Sequence, residues 1–132
     1  QRVAAQTQEL GIAFRVSALL PESLSIDEGD LCGFLFNLLD NALEAAAKVP
    51  HGEIICSLQI RQQYLAIRCE NTYDGTVHTD SAENLLTTKD DPAEHGFGLM
   101  KMRSIAEKYG SVLDVSYDKN RFTVMTALRL KA

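Results

Sequence analysis

Two asparagines spaced four residues apart are the first feature of this sequence that could do chemistry. Asn37 and Asn41 lie in a long segment with helical apolar spacing, and this separation places both side chains on one helix face. Asparagine is a poor helix former because its amide competes for backbone hydrogen bonds. Its amide oxygen can join the oxygen shell of Mg²⁺ without adding negative charge beside a polyphosphate, and its N–H groups can donate to phosphate oxygens. The spacing is typical of either a ligand-facing amide pair or an ordinary solvated face.

A glycine motif at the start of a predicted helix is the second such feature. Gly96 and Gly98 flank Phe97, and their missing Cβ atoms let the backbone approach a ligand closely. The free N–H groups at a helix start favour an anion. The dinucleotide-binding fingerprint would need a third glycine at position 101, which is Lys101, and a strand leading directly into the motif. An ordinary turn is the alternative interpretation.

The spacing of apolar residues predicts the elements that would hold these groups. A helix is expected over 27–48, with Asp27 as its N-cap, and a second helix is expected from about Gly98 to Tyr109, with Gly110 as its C-terminal cap. Alternating apolar residues predict strands over 12–16, 54–60, 65–69, 115–117 and 122–130. The expected fold is of the α+β class: a two-layer α/β sandwich with a mixed, mostly antiparallel sheet covered by helices on one face.

Composition excludes several classes of protein. The 132 residues fit one domain, 1–132, and a net charge of −5 without a basic stripe argues against nucleic-acid binding. The longest apolar run, 31–36, is far short of the roughly 20 residues that span a membrane. Cys32, Cys56 and Cys69 lie in apolar stretches and are expected to be reduced core residues of an intracellular protein. Because the chain begins with Gln1, we expect a longer parent protein.

Several segments resemble the sequence boxes of a known superfamily. The run NLLDNALEA over 37–45 resembles the N-box of the GHKL ATPases, specifically that of sensor histidine kinases in the Gram-positive quorum-sensing peptide-receptor subgroup. The segment 95–99 resembles the G2 box in that subgroup's HGxGL form, and 85–89 resembles the F-box with leucine in place of its aromatic residue. Resemblance to the G1 box places Asn71 where the family carries an adenine-reading aspartate.

The resemblance implies a Bergerat ATP-binding fold with ATP and Mg²⁺ as cofactors. The metal would bridge Asn37 and the phosphates, while Asn41, Lys89 and the backbone of 96–98 would hold the polyphosphate. An amide oxygen at Asn71 can still accept a hydrogen bond from the adenine amino group, although it lacks the full charge of an aspartate. The nucleotide-binding residues implied in this way are Asn37, Asn41, Asn71, Thr88, Lys89, His95, Gly96, Gly98 and Leu99.

One departure from the superfamily bears on the reaction. ATP-hydrolysing members carry a glutamate four residues before the first N-box asparagine, and this chain has Gly33 there. The departure favours a phosphotransferase over a dedicated ATPase, and phosphoryl transfer asks for positioning and charge neutralisation more than for a catalytic base. No catalytic residue is assigned.

The phosphate acceptor is expected outside the chain. None of the chain's histidines lies on a predicted helix beside an acidic residue, so the acceptor histidine should lie on a dimerisation domain of the parent kinase, in cis or in trans. Residues 1–10 are compatible with the end of that domain, and the fragment itself is compatible with a monomer. A response regulator is the expected downstream partner.

The favoured function is therefore the cytoplasmic catalytic domain of a histidine kinase whose parent is membrane-anchored. Two alternatives remain at this point. One is an anti-sigma-type serine kinase of the same fold. The other is a degenerate nucleotide-binding or interaction domain, which the departures at Asn71 and at Glu94 (a glycine in the family) motivate.

Overall fold

A computed structural model describes residues 11–20, 24–76, 78–79, 85–86 and 92–130, with the backbone alone described at 78–79, 85–86 and 92–97. The elements are, in chain order, β1 (Ala13–Leu19), α1 (Glu28–Ala46), β2 (Glu53–Arg61), β3 (Tyr64–Thr72), β4 (His78–Thr79), β5 (Leu85–Leu86), α2 (Pro92–Lys108), β6 (Asp114–Tyr117) and β7 (Arg121–Arg129). The expectation for residues 1–10 lies outside the described residues.

The main sheet has five strands in the order β1-β2-β3-β7-β6. β1 pairs with β2 in parallel, and every other neighbouring pair is antiparallel. The two short strands β4 and β5 pair with each other and form a separate two-stranded sheet. α1 packs on β2 and β3, and α2 packs on α1 and β7. The predicted two-layer fold with a mixed, mostly antiparallel sheet is confirmed.

The helix α1 is the central element of the core, and its limits follow from local chemistry. Asp27 caps its start, because the Asp27 carboxylate accepts a hydrogen bond of 2.9 Å from the backbone N–H of Asp30. The helix buries Phe34 and Leu38 against the sheet. Beyond its end, a Cβ on Gly52 would collide with the carbonyl oxygen of Ala46, so glycine is needed where the chain turns back beneath the helix. The start of β2 therefore lies against the end of α1.

The three cysteines do not share one environment. Cys56 and Cys69 are buried and face each other across β2 and β3, as predicted, and both are free thiols. The prediction for Cys32 is wrong, because this side chain is exposed. Position 32 lies about 200° around α1 from the buried Phe34, so it falls on the face turned away from the sheet.

Neither helix in the described part of the chain has the length and apolar character needed to span a membrane.

The second helix begins earlier than its sequence predicts. α2 starts at Pro92 rather than near Gly98. Proline suits the first helical turn, because its fixed φ is already helical and its missing N–H would have no intrahelical partner there. The backbone N–H groups of 96–98 therefore donate within the helix. The backbone N–H groups that lack intrahelical partners are those of the first turn, at the Pro92 end.

The end of α2 is as predicted. Gly110 adopts φ +68°, and the N–H groups of Gly110 and Ser111 donate back to Glu107 and Ala106. This pattern is a Schellman cap, which favours glycine at the left-handed position.

Four residues tie the end of α2 to the start of α1, and we call them the helix junction: Asp27, Asp30, Lys108 and Tyr109. The Tyr109 hydroxyl donates to Asp30 Oδ2 at 2.7 Å and accepts from the Asp27 backbone N–H at 3.0 Å. Lys108 Nζ lies 2.7 Å from the same Asp30 oxygen. Burial and the bond to Asp30 raise the pKa of Tyr109, so the hydroxyl keeps its proton at neutral pH.

Removing the Tyr109 hydroxyl should loosen this junction. We expect Tyr109→Phe to lower the free energy of unfolding by about 1–2 kcal/mol, because two hydrogen bonds are lost while the ring remains. Urea unfolding of both proteins measures the difference. Tyr64→Phe, at an exposed position on β3, is the matched control. Equal effects of the two substitutions would contradict a stabilising role for the Tyr109 hydroxyl in the helix junction.

The helix junction should also make the stability of the fold depend on pH. Hydrogen bonds from Lys108 and then Tyr109 hold the pKa of Asp30 below its ordinary value. A pKa that is lower in the folded state stabilises the fold at neutral pH, and this contribution is lost as the pH falls below about 4. In thermal unfolding between pH 7 and pH 3, the melting temperature should therefore fall less in Asp30→Asn than in the wild-type protein. Asp114→Asn, at an exposed site on β6, should show the same fall in melting temperature as the wild-type protein. A smaller fall in Asp114→Asn and an unchanged fall in Asp30→Asn would exclude Asp30 as the source of the acid sensitivity.

Candidate functional site

The two helices come together at Gly98, opposite both asparagines. A Cβ on Gly98 would lie 3.5 Å from Asn37 Oδ1 and 3.6 Å from Asn41 Nδ2. Asn37 and Asn41 are both half-buried. The structure thus places the two amides on one face of α1 and turns that face toward α2 instead of leaving it fully solvated.

The Asn37 amide is held in one orientation by its own helix. Its Nδ2 donates to the backbone carbonyl of Gly33, one turn earlier, at 2.9 Å. This bond uses the donor end of the amide and leaves Oδ1 as the end that faces Gly98. A neutral oxygen with a fixed position is the kind of ligand that Mg²⁺ accepts.

The Asn41 amide presents a donor. Its Nδ2 atom is buried and has no hydrogen-bond partner among the residues that the structure describes. Leaving a buried donor unpaired costs about 1–3 kcal/mol, and the cost is removed when an acceptor occupies the site. Asn41 is therefore suited to an oxygen-rich ligand, such as a phosphate, lying between the helices.

Asn71 lies at the same end of the fold as Asn41. Its side chain is only 4% exposed and occupies the helix-covered face of β3. In the register of β2 and β3, Asn71 pairs with Ile54. Ile54 comes two residues after Gly52, and Gly52 lies against Ala46 at the end of α1. Nδ2 of Asn71 donates to the carbonyl of Thr72 at 2.9 Å, so Oδ1 is the acceptor end of the amide.

The segment after Asn71 is anchored to the turn between β6 and β7. The Tyr73 ring packs edge-on against Phe122 with ring centroids 5.7 Å apart, and its hydroxyl donates to the carbonyl of Asp118. Burial raises the pKa of Tyr73, so the hydroxyl remains a donor. The Asp74 carboxylate accepts from the Thr76 N–H at 2.8 Å and is used by the local turn. Asn71 thus remains the buried polar side chain at this end of β3.

The other predicted site residues are distributed differently. Thr88 and Lys89 lie outside the described residues. His95 and Gly96 belong to the backbone of α2, and the side chain of His95 is not among those described. Leu99 is buried in the core at 3% exposure, so its side chain anchors α2.

Sequence reasoning gave no role to Lys101. The structure brings its ammonium nitrogen within 3.6 Å of the position that a Cβ on Gly33 would occupy. Gly33 also accepts the Asn37 hydrogen bond, so Lys101 lies beside the asparagine pair. The available signal was its position three residues after Gly98, which is nearly one turn along the same helix.

Acidic and thiol ligands do not gather into a metal site in the described part of the chain. No group of three or more His, Cys, Asp or Glu residues there could hold a metal ion. A metal at the asparagine pair would therefore take most of its ligands from a bound molecule and from water, as Mg²⁺ commonly does with phosphates.

A family model and curated relatives match most of this chain. The model of the GHKL domain family matches residues 26–129. The sensor histidine kinase DcuS of Escherichia coli K12 is 34% identical over 110 residues, which are 79% of this chain and 20% of DcuS. The chain thus spans about a fifth of the length of the curated relatives it matches.

Solved structures show the same fold at low sequence identity. The catalytic domain of the histidine kinase ThkA superposes with a TM-score of 0.74 at 16% identity, covering 97% of this chain and 86% of the ThkA chain. The mycobacterial sensor histidine kinase MprB superposes with a TM-score of 0.71 at 20% identity, covering 98% and 91% of the respective chains. The predicted resemblance to the GHKL superfamily is confirmed: the chain belongs to the GHKL domain family and has the fold of histidine kinase catalytic domains.

Proposed function

We propose that this chain binds Mg·ATP as the catalytic domain of a sensor histidine kinase and transfers the γ-phosphate to a histidine outside the chain. The observation that carries the proposal is the pair of asparagine amides that face Gly98, with the Asn41 donor buried and unpaired among the described residues. Membership of the GHKL family and the likeness to DcuS, a sensor histidine kinase, support it.

The residues present fit the nucleotide and its metal. Asn37 Oδ1 would ligate Mg²⁺, because its amide is already fixed by the bond to Gly33. Asn41 would donate to the polyphosphate, and Asn71 Oδ1 would accept from the adenine amino group. Bound Mg²⁺ would supply charge neutralisation to the phosphates, which is the main electrostatic requirement of phosphoryl transfer.

The chain's own contribution is positioning. The Asn41 donor would hold the phosphates directly and the Asn37 oxygen would hold them through Mg²⁺, while the imidazole of an acceptor histidine would attack the γ-phosphorus atom. A nitrogen–phosphorus bond forms, the bond from phosphorus to the ADP oxygen breaks, and ADP leaves. Since Gly33 has no side chain, no carboxylate at that position activates water, which favours transfer to an acceptor over hydrolysis.

A domain that binds nucleotide poorly is the second candidate, and one observation favours it. Because α2 runs from Pro92 through Gly98, the N–H groups of 96–98 are used within the helix. A phosphate could engage them only after this first part of α2 unwinds, and that rearrangement would reduce the affinity.

Titration and phosphate transfer separate these functions. Calorimetric titration with Mg·ATP should give saturable binding, and a chain that shows none at millimolar nucleotide is not a kinase domain. Labelled γ-phosphate should then move to the histidine-bearing domain of the parent protein supplied in trans, but not to the same domain with its acceptor histidine replaced by glutamine. An acid-labile product indicates phosphohistidine, whereas an acid-stable product would identify the serine kinase alternative.

A negative charge at position 41 should weaken binding of the polyphosphate. Asn41→Asp removes a donor and adds a negative charge, so we expect Mg·ATP affinity to fall by about tenfold or more. Calorimetry measures the affinity. Asn120→Asp makes the same change at an exposed turn position and should leave binding unchanged. An unchanged affinity in Asn41→Asp would mean that the nucleotide does not contact this face of α1.

Asn71 should determine which base is preferred. In Asn71→Ala the acceptor for the adenine amino group is lost, so ATP affinity should fall by about tenfold while GTP affinity changes little, because guanine carries a carbonyl there. Competition of each nucleotide against a fluorescent ATP analogue gives the two affinities. A parallel loss of ATP and GTP binding would instead indicate a structural role for Asn71.

A further inference from the structure

Gly33 lies in the interior of α1, where glycine is destabilising relative to alanine. The space beside it is taken by the end of the Lys101 side chain. A Cβ on Gly33 would lie 3.5 Å from Lys101 Cε and 3.6 Å from its Nζ. A larger side chain at position 33 would therefore occupy the space that Lys101 now uses.

The positions of these groups along α1 follow an order. Asn71 lies near the Ala46 end, Asn41 comes next, Asn37 is one turn further, and Lys101 lies beside Gly33 another turn on. Each step of four residues is about 6 Å along the helix axis. A nucleotide with its base at Asn71 and its phosphates at the asparagines would thus point its terminal phosphate toward Lys101.

No carboxylate of the described residues lies within salt-bridge distance of the Lys101 ammonium. The pKa of Asp30 is lowered mainly by Lys108 and Tyr109 and only weakly by the charge of Lys101. The Asp30 oxygen is already bonded by Lys108 and Tyr109 at 2.7 Å each, so Lys101 is available for another anion.

We propose that Lys101 binds the terminal phosphate of the nucleotide, across the gap that Gly33 leaves in α1. This inference rests on the proposed ATP binding and adds to it a residue that distinguishes ATP from ADP. A lysine suits the task because it is a compact charge with three rotatable donors. A small residue at position 33 leaves room for the lysine stem beside the turn that ends at Asn37.

The test compares ATP with ADP on the whole chain. In calorimetric titrations, Lys101→Gln should lower Mg·ATP affinity by about tenfold and leave Mg·ADP affinity within about twofold of wild type, because only ATP carries the third phosphate. Lys101→Arg should keep most of the preference for ATP. Lys119→Gln, at the exposed turn before β7, is the matched control and should change neither affinity.

Substitutions at Gly33 test the gap itself. Gly33→Ala should keep the ATP preference, because contacts of 3.5–3.6 Å are ordinary van der Waals distances. Gly33→Leu should displace Lys101 and reproduce the selective loss of ATP affinity, and adding it to Lys101→Gln should cause no further selective loss.

The outcomes separate the two proposals. Equal losses of ATP and ADP affinity in Lys101→Gln, or no loss of either, would overturn the role of Lys101 while leaving nucleotide binding intact. Failure of the wild-type chain to bind either nucleotide would overturn the proposed function itself.

Discussion

The close approach of α1 and α2 at Gly98 is the contact on which the site depends. Gly98 has no side chain, and the position where its Cβ would lie is within van der Waals distance of both asparagine amides on α1. Asn37 offers an oxygen there and Asn41 a buried donor. A bulky residue at this position would separate the helices and the two amides would no longer line a narrow space.

The rest of the fold keeps that contact in place from two directions. At one end, the helix junction joins the start of α1 to the end of α2 through the Asp30 carboxylate. At the other, Gly52 lets β2 begin directly beneath the end of α1, and the register of β2 and β3 then places Asn71 there. In the proposed function, the sheet would supply the acceptor for a base and the helices would supply the groups for its phosphates.

Much of this arrangement could be predicted from the sequence because it depends on local rules. Helical spacing placed Asn37 and Asn41 on one face, Asp27 and Gly110 marked helix ends, and strand alternation gave the strands of the sheet. The strand order and the parallel pairing of β1 with β2 were not predictable in the same way, since they depend on contacts between distant segments.

Three features escaped sequence reasoning for identifiable physical reasons. The glycine motif predicts a start for α2 near Gly98, yet Pro92 begins the helix and the glycines continue it. Cys32 was assigned to the core from its apolar neighbours, although its angular position on α1 points it outward. Lys101 carries no recognisable sequence signal because its neighbour Gly33 lies 68 positions away in the chain and on the other helix.

Side-chain amide resonances would test the central claim most directly. Nitrogen-15 spectra recorded during a Mg·ATP titration should show saturable shifts of the Asn37 and Asn41 side-chain amides, with Asn120 unchanged. Saturable nucleotide binding that leaves both amide signals in place, or no binding at all, would contradict the site described between α1 and α2.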